Sequence, residues 1–195
     1  MKKLGYLTII HLVLMALMIL GTVGGAVNFI VGVANSATDK IRFENLTNIL
    51  LMLVIMAMLI MGALYLLKNY GKNAAMFYKA FMLLHVFVCA LTIFIDLFFY
   101  TVNFFMITIC ILNLFKMIVL LILTFVKDLG KDRTWTLFYI ILGLDVLSLV
   151  LAVINMAGIG FDFSFTGYVT ALIADGTIGL SIRGKYSDKE ARGRA

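Results

Sequence analysis

Apolar residues in this chain gather in long runs instead of alternating with polar ones. Six runs are readable, over residues 4–33, 46–67, 74–99, 104–126, 135–157 and 165–182, with short polar punctuation between them. About 20 apolar residues, each rising about 1.5 Å along a helix, cross the roughly 30 Å hydrocarbon core of a bilayer. In hydrocarbon every backbone amide must find its partner inside its own segment, so each run reads as a helix. The pattern predicts an all-α integral membrane protein: a six-transmembrane-helix bundle with short loops, one domain over residues 1–182, and a basic tail over 183–195.

Three runs need further argument. Residues 74–126 are almost unbroken, and as one helix they would be about 80 Å long, far thicker than a bilayer. The chain must fold back, and Tyr100-Thr101-Val102-Asn103 is the polar, turn-compatible place. The first run is long enough to tilt. It follows Met1-Lys2-Lys3, like the start of a signal peptide, but is too long for a usual cleaved segment, so a retained anchor is expected. The sixth is the least apolar, because Gly167, Asp175, Gly176 and Gly179 interrupt it; a broken or re-entrant helix is the alternative there.

Into this apolar background the chain places His85, Lys116, Asp145 and Asp175, each near the middle of a different run. A charge at the bilayer centre costs roughly 2.5–3.5 kcal/mol on insertion scales. Such groups need partners, a wet cavity or a function. In antiparallel neighbours, residues equidistant from the connecting loop lie at similar depth. Folding about residues 130–131 sets Lys116 opposite Asp145, and folding about Gly160 sets Asp145 opposite Asp175. Folding the third run on the fourth brings His85 within about one turn of Lys116. Each belongs to a polar stripe at helical spacing: His85, Cys89, Thr92 and Asp96; Cys110, Asn113 and Lys116; Asp145, Ser148 and Asn155. His85, Asp96, Asn113, Lys116, Asp145 and Asp175 are therefore the candidate residues for binding a solute or ion, or for relaying a proton. With one Lys and two Asp, the layer is net negative if both carboxyls ionise. Either one keeps its proton, or a cation or protonated His85 joins them.

The other polar signals are weaker. The first run carries Gly21, Gly25, Asn28 and Gly32 on one seam. Gly21 and Gly25 form a G-x-x-x-G, so this face is expected to pack against a helix, in a second copy or a partner subunit. His11 is expected to reach interfacial water. Met52, Met56, Met58 and Met61 read as lipid-facing or gap-filling side chains, not as a metal site.

Composition changes the picture little, but the position of charge changes it a good deal. The chain is 64% hydrophobic and 13% charged, which leaves no soluble domain. Of its 16 Lys and Arg, thirteen fall at one set of run ends: Lys2, Lys3, Lys68, Lys72, Lys79, Lys127, Lys131, Arg133, Arg183, Lys185, Lys189, Arg192 and Arg194. Only Lys40 and Arg42 fall at the other, and the last is Lys116. Basic residues accumulate on the cytoplasmic side, so both termini are expected inside, most simply in the cytoplasmic membrane. Phe161, Phe163, Phe165 and Tyr168 fit an aromatic belt at the opposite interface. The net charge of +6 is dispersed over span ends, so the expected partner is the bilayer and not nucleic acid. Cys89 and Cys110 have neither metal nor disulfide spacing, and proline is absent.

The function these features favour is a small-solute or ion transporter, or the membrane-embedded binding subunit of one. In span count and size the chain is similar to such subunits of vitamin importers, although it lacks proline. A non-catalytic membrane subunit or assembly factor, with a purely structural polar layer, is the second reading. An intramembrane enzyme is the third: two midplane Asp resemble the dyad of intramembrane aspartyl proteases, but Gly143-Leu144-Asp145 and Ile173-Ala174-Asp175 do not match that family's contexts. Haem ligation by His11 and His85 would need a common depth they do not share, so no cofactor and no metal are expected.

Overall fold

The computed structural model describes residues 5–35, 43–67, 74–99, 102–126, 129–159 and 165–192. Within them run six helices: α1 (Tyr6–Asn35), α2 (Phe43–Leu67), α3 (Ala74–Phe99), α4 (Phe104–Phe125), α5 (Lys131–Ile159) and α6 (Phe165–Arg192). No strand occurs among the described residues. The chain is a polytopic, all-α membrane protein. The long apolar run does fold back near its polar interruption. Asn103 caps α4, its side-chain oxygen accepting from the Met106 amide at 2.9 Å, which satisfies one of the amides a helix start leaves free. Tyr100 and Thr101 of that turn lie outside the described residues, as do Lys2, Lys3, Lys40, Arg42, Lys68, Lys72, Lys127, Phe161 and Phe163.

The boundaries that depart most from the sequence reading are the start of α5 and the end of α6. α5 starts at Lys131, four residues before its apolar run, because polar side chains continue a helix as readily as apolar ones once it emerges from the apolar layer. α6 is continuous from Phe165 to Arg192, so it is not broken, and the basic segment after Ile182 extends it by further turns.

Consecutive helices pack side by side, and α6 returns against α1 and α2 to close the bundle. α1 to α5 are long and apolar enough to cross a membrane; α6 is not. That difference explains their placement. A helix carrying Asp175, Thr177 and Ser181 is costly against lipid tails, and α6 is the one wrapped by the others: Ala174, Asp175, Thr177 and Ile178 are all at 0% exposure. The other helices turn their apolar faces outward. Leu20 at 67%, Phe98 at 71% and Phe104 at 76% exposure belong to an apolar surface far larger than a water-soluble protein of this size carries, and one suited to lipid.

The interior packs around Met15, Met58, Leu59, Phe81, Met82, Leu120, Ile141 and Ile178. Glycines set the closest approaches. A Cβ on Gly62 would lie 2.9 Å from Met15 Cε, and one on Gly179 would lie 2.9 Å from the Phe138 ring of α5. Met58 fills the core at 1% exposure, a gap-filling role. One end of the bundle is marked by contacts between helix ends: Lys79 of α3 lies over the Phe125 ring of α4, 5.4 Å from its centroid, and Thr134 of α5 meets Tyr186 of α6 at 3.0 Å. Arg133, Arg183 and Lys185 belong to the same end, so it is the basic end. At the other end Phe43, Phe94 and Phe99 form an aromatic cluster, with Phe94 stacked on Phe98.

Candidate functional site

Four helices each send one polar side chain into the interior at a common level. Lys116 of α4 donates to Asp145 Oδ2 of α5 at 2.5 Å and to Asp175 Oδ2 of α6 at 3.3 Å. His85 of α3 points its Nε2 at the other oxygen of Asp175, Oδ1, across 3.9 Å. Asp145 and Asp175 thus converge on the same ammonium from two different helices. None of the four is more than 6% exposed. The four-carbon stem of lysine lets one ammonium serve two helices, and its point charge suits two carboxylates that approach from different directions.

This arrangement is more than an ion pair. One ammonium faces two carboxyls, so a second positive charge or a bound proton is needed for neutrality. Two atoms are buried without a hydrogen-bond partner among the described residues, Asp175 Oδ1 and His85 Nδ1. Buried polar atoms are nearly always paired, and those that are not call for an explanation. Cys89, one turn along α3 from His85, lies within electrostatic range of Lys116, Asp145 and Asp175. Ser148, nearly one turn along α5 from Asp145, is buried as well.

The remaining sequence candidates do not join this layer. Asp96 is half-buried three turns further along α3, toward the aromatic end, near Cys110 and Tyr168. Asn113 is half-buried on α4, and among the described residues the hydrogen bonds of Lys116 go to Asp145 and Asp175. The side chain of Asn155 lies outside the described residues. Gly21, Gly25, Asn28 and Gly32 face outward from α1, and added Cβ atoms on the three glycines would meet nothing within 4 Å. The G-x-x-x-G seam is therefore not packed against the described residues of this chain. The face of α1 that does pack carries Leu12, Met15 and Ile19.

His11 departs from its expected place. It is half-buried, its Nε2 lies 3.0 Å from Thr177 Oγ1, and its ring sits so close to Gly176 that a Cβ there would be 2.6 Å from Cε1. The cause is the missing side chain of Gly176, which opens a seat for an imidazole beside a buried hydroxyl. Toward the basic end, α6 continues in hydroxyls. Ser181 pairs with Tyr65 of α2 at 2.7 Å and lies by Tyr78, and Tyr186 pairs with Thr134 and donates to the Leu129 carbonyl at 3.0 Å. Sequence reasoning missed this edge, although Thr170, Ala174, Thr177 and Ser181 recur at helical spacing along α6.

Fold and layer together define a polytopic membrane protein with a buried, multi-helix charge cluster. No protein-family model matches the chain, and neither curated proteins nor solved structures contain a match to it.

Proposed function

We propose that this chain is a membrane carrier for a small solute or ion, or the solute-binding subunit of one, with its site at His85, Lys116, Asp145 and Asp175. The observation that carries the reading is Asp175. It is at 0% exposure, shares one ammonium with Asp145, and has an oxygen left without a partner among the described residues. A bridge that only held helices together would be cheaper with one carboxyl, because each further buried charge must be compensated. A cluster with spare capacity for positive charge, central in a bundle of short loops, suits alternating access around a fixed site.

Asp96 and Asn113 belong, in this reading, to the approach from the aromatic end, and the asymmetry of basic residues sets both termini in the cytoplasm. The outward face of α1, with Gly21, Gly25, Asn28 and Gly32, is the surface for a second copy or a partner subunit. The protease reading loses ground to one feature: the Lys116 ammonium bridges the two carboxyls where an aspartyl dyad would hold its attacking water.

The test is a thermal-shift screen of the purified protein against ions, amines, vitamins and pH, with Asp175→Asn alongside. A solute that binds the folded state raises the melting temperature by mass action. Stabilisation of the wild type that is lost in Asp175→Asn is expected. No shift with any solute, together with equal melting of the variant, would move the protein to the structural-subunit reading.

A further inference from the structure

The charge count of the buried layer constrains what the site takes. Lys116 and Asp145 neutralise one another at 2.5 Å. Asp175 is then the unbalanced carboxyl, and its free oxygen faces His85. In a site at 0–6% exposure, an uncompensated carboxylate is expensive, so every stable state must bring one positive charge to Asp175.

The groups around Asp175 show where that charge can come from. On α1, His11 is engaged with Thr177; on α2, Tyr65 is engaged with Ser181. On α5, Asp145 competes for the same ammonium, and on α4 that ammonium is already shared. On α3, Tyr78 lies by Ser181 and the Cys89 thiol brings no positive charge. His85 remains, and it can hold a proton against Asp175 Oδ1. A ligand cation is the other source. Its chemical class follows from the donors present: among the described residues, no group of three or more His, Cys, Asp or Glu is placed to hold a metal ion. One carboxylate oxygen and one imidazole nitrogen, with the Phe81 ring 5.9 Å from the His85 ring, are too few for a stripped metal ion. They do match the N–H donors of a small ammonium group, which an aromatic face also favours.

We propose that the site binds one small protonated amine in exchange for one proton, each in turn neutralising Asp175. The proposal rests on the carrier reading and names its substrate class and coupling. The exchange balances. The resting state has Lys116 and Asp145 as a charged pair and one proton on the Asp175–His85 pair. The loaded state has the same charged pair, Asp175 as a carboxylate, His85 neutral and the ammonium cation between them. The proton leaves to solvent, and the net charge of the layer is the same in both states.

The experiment uses the full chain, purified in detergent, in weakly buffered solution with a pH-indicating dye. Methylammonium chloride, adjusted to the same pH, is titrated in; sodium chloride and potassium chloride are the comparison. The linkage predicts saturable release of about one proton per chain with methylammonium and none with the alkali salts. Asp175→Asn, checked for folding by size-exclusion and helix content, loses the release, and Asp175→Glu retains it. His85→Gln leaves Asp175 to hold the proton alone, so release stays at about one proton per bound amine with its pH dependence shifted. Methylammonium binding without proton release overturns the proposal, as does equal release by sodium. Stabilisation by a neutral or anionic solute, again without release, overturns it while leaving the carrier reading standing. Unaltered release in Asp175→Asn places the exchanging proton elsewhere and also overturns it.

Discussion

Lys116 decides the character of the interior, because its loss strands two carboxyls and not one. Lys116→Ala is expected to destabilise the protein by about 3–5 kcal/mol, the usual cost of breaking a buried pair. Lys116→Met combined with Asp145→Leu should recover part of that loss, since it removes the tighter of the two carboxylate partners. Adding Asp175→Asn should recover more, because no unpaired carboxylate is then left. Unfolding in detergent, followed by helix content, checks the series. Equal stability of the single and double variants would show that the 2.5 Å contact contributes little. The same geometry explains why Asp175, and not Asp145, is the residue whose substitution should remove ligand response: Asp145 has its ammonium, while Asp175 keeps an oxygen unpartnered among the described residues.

Five helices are apolar enough to cross a membrane and turn exposed apolar side chains outward, while the more polar α6 buries its polar edge against its neighbours. α6 is held by close seats at Gly176 and Gly179, so these glycines act through space and not through backbone freedom. Gly179→Ala would push its Cβ into Phe138 and should cost about 1–3 kcal/mol as overpacking, with Phe138→Leu restoring part of it. Gly25→Ala is the contrasting case. Nothing lies within 4 Å of its Cβ position, so the isolated chain should change by less than about 0.5 kcal/mol. A large loss on Gly25→Ala, measured in the protein extracted with mild detergent, would show that the outward face of α1 is buried in an assembly. Asn28 on that face gives such an assembly a hydrogen-bonding group worth roughly 1 kcal/mol in lipid.

For the molecule as a whole, the basic end and the aromatic end set an orientation that labelling can read. Lys185→Cys at the basic end should react with a membrane-impermeant maleimide only in inverted vesicles, and Glu44→Cys only in intact cells. Cys89 and Cys110 are buried and should add little background. Labelling of Lys185→Cys in intact cells would reverse the proposed topology. The bundle also explains how a charge cluster survives in a membrane: five apolar helices supply the lipid-facing surface, and the sixth, too polar to stand alone, brings Asp175, Thr177 and Ser181 to an interior where each finds company.

The run lengths alone were enough for the helices, because backbone amides in hydrocarbon leave no alternative to a helix over about 20 apolar residues. The depth of His85, Lys116, Asp145 and Asp175 was equally readable, since a hairpin with a short loop ties position along one helix to position along the next. What no run or spacing specified was azimuth, the way each helix turns about its own axis. Azimuth keeps Asn113, one turn from Lys116, out of the ion pair and turns the G-x-x-x-G seam of α1 away from the bundle, whereas Asp96 lies outside the layer by its depth along α3. Azimuth also brings His11 onto Thr177 through the gap at Gly176. Those outcomes depend on side chains from helices far apart in sequence competing for the same interior volume. A one-dimensional pattern records which residues are polar, but their partners are chosen when α6 closes against α1 and α2.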